Sequence, residues 1–74
     1  MDILEQLKEI EGKDLTLKLG DDGKEFEGKI SKIHEKHNAV TAEYYDHEKG
    51  VGAGVLVSFD NIESISQDLV VFKK

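Results

Sequence analysis

The sequence lacks cysteine and proline, and only five of its residues are tyrosine or phenylalanine. Without cysteine the chain cannot form a disulfide or a thiolate metal site. A domain of 74 residues buries only about 60% of the surface that its unfolded chain exposes, so its core is marginal. Domains this small usually gain stability from a disulfide, a metal or a partner subunit. The composition therefore favours self-association.

Long apolar runs are also missing. No stretch approaches the length of a membrane span, and the N-terminus has no signal-peptide pattern. We therefore expect a soluble, cytoplasmic protein without a membrane partner. High charge and clear hydrophobic periodicity indicate a folded domain.

Positive charge is scarce, with ten basic residues against sixteen acidic ones and a formal net charge of −6. Phosphate contacts supply most of the affinity of proteins for nucleic acids. The charge balance therefore counts against strong non-specific binding of nucleic acid, although it leaves room for a local basic patch.

Catalytic and metal-binding motifs are absent from the sequence. The three histidines stand beside carboxylates but have no established ligand spacing; they are His34, His37 and His47. Histidines in polar turns are usually solvated, and no serine, histidine and acid trio has a recognisable spacing. We expect neither an enzyme nor a bound metal or cofactor.

The N-terminus predicts a short amphipathic helix over residues 2–11. Its apolar residues recur at helical spacing, at Ile3, Leu4, Leu7 and Ile10. Asp2 is placed to cap the helix, with Glu5 three residues later. A helix this short is marginal in water, so we expect it to pack against the rest of the domain.

The residues that follow predict a bent hairpin. Leucines alternate with polar residues from Leu15 to Leu19, which indicates a strand with one apolar face. The segment Gly-Asp-Asp-Gly (residues 20–23) is typical of a tight turn. Gly28 interrupts the second strand, where a missing side chain usually marks a bend or a close backbone approach. The apolar period slips by one between Ile30 and Ile33, as at a β-bulge.

Three further strands and an apolar tail complete the pattern. The third strand covers residues 39–45, and one of its adjacent tyrosines, Tyr44 or Tyr45, must face inward. A polar, glycine-rich turn is predicted over residues 46–54. The fourth strand runs from Val55 to Phe59 with apolar residues on both faces, and the fifth covers residues 62–65. The apolar run at residues 69–72 is either a sixth strand covering an edge or part of an interface.

Two segments together resemble the Sm-like (LSm) family. The first is GKDLTLKLGDDGKEFEGKISKIHEKHN (residues 12–38), in which Gly28 and Asn38 match the family's strand glycine and base-contacting asparagine. The second is VSFDNIESI (residues 57–65), which is similar to the family's I-R-G-D-N-V-x-x-I. The resemblance implies a mainly β fold: a small, strongly bent, five-stranded SH3-like barrel over residues 13–66, with an N-terminal helix and a tail at residues 67–74. It implies one Sm-like domain across residues 1–74.

The resemblance also implies a site and an interface. In the family's geometry the turn with Lys36, His37 and Asn38 faces the opening of a closed head-to-tail ring of identical copies. Ser58 stands where the family has its RNA-contacting arginine, and Phe59 replaces the adjoining glycine. The residues expected at the interface between copies are Val55, Leu56, Val57, Phe59, Ile62 and Ile65.

Two functions are compatible with these features. One is a homo-oligomeric ring that binds single-stranded RNA weakly or in a particular context, with Asn38 contacting a base edge and Lys36 a phosphate. The other is a structural or protein-interaction ring that has lost its RNA site. Asn38 has a simpler explanation too, because asparagine tolerates the left-handed conformation of turns and often bonds within its own loop.

Overall fold

The computed structural model describes residues 2–20 and 22–73. Asp21, in the first predicted turn, lies outside the described residues, as do both terminal residues. The fold is mainly β with one N-terminal helix. Its elements are α1 (Ile3–Ile10), β1 (Leu15–Leu19), β2 (Lys24–His34), β3 (Ala39–Asp46), β4 (Val51–Ser58), β5 (Ile62–Ile65) and β6 (Leu69–Phe72). Short 3₁₀ turns follow β2 (Glu35–His37) and β4 (Phe59–Asn61).

Helix α1 begins and ends as its sequence predicts. The carboxylate of Asp2 accepts a hydrogen bond from the backbone N–H of Glu5 at 2.9 Å, which satisfies a donor that the helix leaves free. Gly12, just past the end, has φ of +79°, a conformation that glycine adopts without strain. The N–H of Gly12 donates to the carbonyl of Ile30 at 2.9 Å, and Leu7 is fully buried. The helix is thus docked on β2.

The six strands form one sheet in the order β4-β3-β2-β1-β6-β5. The five predicted strands are present, and the apolar run at residues 69–72 forms a sixth strand, one of the two alternatives that the sequence left open. Within the described part of the chain the sheet is not closed, since β4 and β5 each lie at an edge. The 3₁₀ turn Phe59–Asn61 joins these two edge strands directly, so the end of one lies close to the start of the other.

The additional strand, β6, lies inside the sheet. It pairs parallel with β1 and antiparallel with β5, whereas the sequence suggested a strand that covers an edge or an interface segment. The N–H of Thr16 donates to the carbonyl of Asp68 at 2.9 Å where β6 joins β1. Val70 is fully buried and Phe72 nearly so. The C-terminal run is thus part of the core.

The central strands show the expected close approach at Gly28 and the expected bulge. A Cβ built on Gly28 would collide with the carbonyl oxygen of Glu43 and come within 2.6 Å of the Leu17 side chain. This close approach explains why a glycine occupies the middle of β2. The register between β2 and β3 shifts between Ile30 and Lys32, which confirms the predicted bulge. Tyr44 faces Phe26, with ring centroids 4.8 Å apart, and its neighbour Tyr45 is exposed.

Strand β4 is longer than predicted. It begins at Val51 and pairs with β3 along its whole length, so the polar turn shrinks to residues 47–50. The Asp46 carboxylate accepts hydrogen bonds from the N–H groups of Glu48 and Lys49 and holds this turn. The alternation of glycine with small apolar residues at the start of β4 resembles a flexible loop in sequence, yet these residues form part of an edge strand.

The core lies on one face of the sheet, under α1. The helix and every strand contribute at least one buried apolar side chain to it: Leu7, Ile10, Leu15, Leu17, Ile30, Val40, Ala42, Val57, Ile62, Val70 and Phe72. We call the opposite side of the sheet the outer face. Within residues 2–20 and 22–73, no helix has the length and apolar character needed to cross a membrane.

Candidate nucleic-acid site

Two 3₁₀ turns meet at one end of the sheet, after β2 and after β4. The backbone N–H of Phe59, in the second turn, donates to the carbonyl of Asn38 at 2.7 Å. Ala39 and Ser58 are partners in the register between β3 and β4. The two segments that resemble the Sm-like motifs are therefore neighbours in space, although about twenty residues of chain separate them.

Asn38 ends the first of these turns in a left-handed conformation, with φ of 50° and ψ of 48°. Asparagine is among the few non-glycine residues that tolerate this conformation. The N–H of Asn38 donates to the carbonyl of Glu35 at 3.3 Å. Its side chain is exposed, and among the described residues its amide makes no hydrogen bond. The left-handed backbone thus explains why an asparagine occupies this position. Its side-chain amide remains available to bind a ligand.

Lys36 and His37 are both exposed on the same turn. Glu35 beside them bonds to the ammonium group of Lys8 at 2.8 Å, and this hydrogen bond with the carboxylate raises the pKa of Lys8 above its usual value. The pair links α1 to the turn and offsets the nearest negative charge. No sequence signal indicated this contact, because the two residues lie on separate elements.

The hydroxyl oxygen of Ser58 has a local structural contact. Its Oγ accepts a hydrogen bond from the N–H of Asp60 at 3.2 Å, which caps the second 3₁₀ turn. A serine is well suited to this capping position. An arginine, which the Sm-like pattern has here, would bring a guanidinium to the site but could not accept this bond. Residue 58 therefore supports the turn, and no guanidinium lies at this position.

The histidines do not converge. His34 Nε2 lies 2.8 Å from Thr41 Oγ1, across the pair β2–β3, while His47 lies on the turn before β4 with its ring 4.8 Å from that of Tyr45. In the described part of the chain, no group of three or more histidine, cysteine or acidic residues has the geometry of a metal site.

The six expected interface residues differ in exposure. Val57 and Ile62 are buried in the core of the chain itself. Leu56 is 68% exposed on the edge strand β4. The remaining three are half-buried: Val55, Phe59 and Ile65. Leu56 is therefore the member of this set with the most apolar surface to offer a partner.

A groove with a volume of about 740 Å³ crosses the sheet away from the two turns. Its charged lining comprises four carboxylates and one ammonium group, from Asp14, Glu27, Glu43, Asp68 and Lys29. Such a surface repels phosphate. The sequence did not indicate this groove, because its lining comes from four separate stretches of chain.

Comparison of the chain with models of known families, with curated proteins and with solved structures gave no match. The basis for a functional proposal is therefore the geometry of the two turns, the free edges of the sheet and the resemblance in sequence.

Proposed function

We propose that this protein is a divergent Sm-like protein that forms a homo-oligomeric ring and binds single-stranded RNA weakly or in a particular context. The observation that carries the proposal is the exposed amide of Asn38, which has no local hydrogen bond in the described structure and is carried by a turn whose backbone is bonded to Phe59. The two motif-like segments meet at this turn.

The chemistry of the turn suits an unpaired base. A side-chain amide offers a donor and an acceptor, and the edges of bases are accessible in single strands but hidden in duplexes. Lys36 supplies a cation for a phosphate. Each copy has few such cations, so affinity is modest and falls only slightly with added salt. Repetition around a ring increases the avidity for a strand that contacts several copies.

The sheet edges support assembly. Strands β4 and β5 are the two edges, and unpaired edges are ready to pair with another chain. In the proposed ring, β4 of one copy pairs with β5 of the next. Since two different surfaces meet, the contact is heterologous and generates a ring when the rotation closes. Such a ring completes the barrel-like arrangement of the family between neighbouring copies.

A second candidate is a structural or protein-interaction ring without RNA binding. It is favoured by Ser58, whose hydroxyl caps a turn where the family has an arginine, and by the net charge of −6. Under this alternative Asn38 is retained for its left-handed backbone alone.

The substitution Asn38→Gly separates these alternatives. Glycine adopts the left-handed conformation without strain, so the variant removes the amide and leaves the turn intact. We expect binding of labelled oligouridine or oligoadenine to weaken by about 1 kcal/mol for each hydrogen bond lost. Fluorescence anisotropy at about 50 mM salt, where phosphate contacts are strong, measures this change. Gln67→Ala, which removes an exposed amide from the turn between β5 and β6, is the matched control.

Ser58→Arg tests the same site in the opposite direction. We expect tighter RNA binding, because a guanidinium is restored beside Asn38, together with a loss of about 1 kcal/mol of stability from the missing cap. If neither oligonucleotide binds the unmodified protein at high micromolar concentration, the RNA proposal is wrong and the interaction ring replaces it.

A further inference from the structure

The edge strand β4 has the composition of an interface. None of its eight residues is charged, although exposed edge strands are usually protected by charges, prolines or bulges. Leu56 pairs with Thr41, next to the buried pair of Val40 and Val57. The side chain of Leu56 therefore points away from the core, onto the outer face, where it is 68% exposed.

The opposite edge has a complementary surface. Val71 pairs with Lys18 in β1 and with Ser64 in β5, and its neighbour Val70 is buried. Val71 therefore lies on the outer face too, one strand in from the edge, and it is half-buried. Ser64 lies beside Val71 in the edge strand β5. Its small side chain leaves space on the outer face above β5.

When β4 of one copy pairs with β5 of the next, the sheet continues from copy to copy. The surfaces around Leu56 and Val71 then become neighbours. In the register that sets Leu56 of one copy opposite Ser64 of the next, Leu56 lies two strands from Val71, which is roughly 10 Å because neighbouring strands are about 4.8 Å apart. Two apolar side chains that lean toward each other over a serine span that distance. Glu63, the charged residue of β5, lies where the register between β5 and β6 shifts and is exposed.

We propose that Leu56 of each copy packs over Ser64 against Val71 of the next copy. The inference rests on the proposed ring, and it adds β6 to the interface. The five-stranded pattern has no such strand between β1 and β5. In this chain β5 is attached to the sheet through β6, so β6 both holds the pairing edge and supplies the surface that receives Leu56.

The test is a charge exchange between two variants, Leu56→Lys and Val71→Glu. Each site is on the outer face, so each variant is expected to fold, which circular dichroism checks. Each alone places a charge against an apolar side chain, and we expect assembly to weaken by about 10- to 100-fold per contact. Mixed in equal amounts, the two variants can alternate around the assembly. Every contact then joins either the two original apolar side chains or the introduced lysine and the introduced glutamate, so assemblies of even order reform.

Multi-angle light scattering at micromolar concentration gives the mass in each case, with Lys29→Glu, at the centre of the outer face, as a control that stays assembled. Loss of assembly in both variants and recovery on mixing support the inference. If the unmodified protein assembles and Val71→Glu assembles equally well, the contact is wrong while the ring stands. If neither the mixture nor the double variant Leu56→Lys/Val71→Glu, in which every contact joins a lysine to a glutamate whatever the order of the ring, recovers assembly, the pairing of Leu56 with Val71 is refuted. A mass near 8.3 kDa for the unmodified protein contradicts the ring and the contact together.

Discussion

Gly28 offers a sharp test of how the sheet is built, because a single methyl group is enough to disturb it. A Cβ at this position would collide with the carbonyl oxygen of Glu43, and it would stand 2.6 Å from Leu17 Cδ1 and 2.9 Å from Tyr44 Cβ. Two of these three atoms are a backbone oxygen and a Cβ, whose positions are fixed by the backbone. A change of side-chain rotamer therefore cannot relieve these contacts. In Gly28→Ala the strands β1, β2 and β3 must move apart.

The magnitude follows from two opposing effects. Forcing an additional carbon into a packed core costs typically about 1–3 kcal/mol. Replacing glycine by alanine lowers the conformational entropy of the unfolded chain. Where the native conformation permits alanine, this stabilises the folded protein by about 0.4–1 kcal/mol. Because backbone atoms must move here, we place the net loss at about 2 kcal/mol. A domain of this size has a total stability of about 4–11 kcal/mol, so the variant still folds.

The assay is equilibrium unfolding in urea, followed by circular dichroism at a fixed protein concentration, because association shifts apparent stability. With an m-value of about 1 kcal/mol/M, the midpoint for Gly28→Ala should fall by about 2 M. Gly54→Ala is the matched control. It changes the same residue type in another strand, where the new Cβ would lie 3.7 Å from the nearest heavy atom, the carbonyl oxygen of Ala42. Its midpoint should stay constant or rise. Equal midpoints for the two variants would refute the close approach at Gly28.

Three further predictions follow from single contacts. Asp2→Ala removes the cap of α1 and should lower the free energy of unfolding by about 1 kcal/mol, measured in the same urea assay; no change would show that the cap is dispensable. The pKa of Lys8 is raised by its hydrogen bond to Glu35, so the stabilisation from this pair is present below pH 10.5 and is lost as the pH rises through the higher pKa of the folded state. Lys8→Met should therefore have a lower Tm than the unmodified protein at about pH 7 and an equal one well above pH 10.5; a difference that persists at high pH contradicts the pairing. Truncation after Gln67 removes the buried Val70 and Phe72, each worth about 1.5–3 kcal/mol, so the shortened chain should be largely unfolded by circular dichroism, and an unchanged Tm would show that β6 is not part of the core.

Local features of the fold could be predicted from the sequence because they depend on short-range chemistry. The capped helix follows from Asp2 and the apolar spacing after it, and the bulge follows from the slip between Ile30 and Ile33. The close approach at Gly28 follows from a glycine in the middle of an otherwise regular strand. Each of these signals lies within a few residues of the structure that it predicts.

Strand order could not be predicted in the same way. The insertion of β6 between β1 and β5 depends on pairing between Thr16 and Leu69, which are far apart in sequence, and an apolar run of four residues has no signal for its partner. The start of β4 at Val51 could not be predicted either, because the glycines in its first half are more typical of loops.

The positions of the candidate site residues, though not their roles, could be predicted in part. Lys36, His37 and Asn38 share one exposed turn, and Ser58 lies beside it. The state of each side chain could not be predicted. Only the structure separates the amide of Asn38, which makes no hydrogen bond within residues 2–20 and 22–73, from the capping hydroxyl of Ser58, and both polar residues could have had either role.

The central proposal is that identical copies of this chain form a ring that holds a single strand of RNA. Native mass spectrometry of the protein mixed with a short oligouridine tests assembly and binding in one spectrum. We expect an assembly whose mass is a multiple of 8.3 kDa, together with a second species heavier by one oligonucleotide. A spectrum that contains only the 8.3 kDa monomer, without bound RNA, would contradict the proposal.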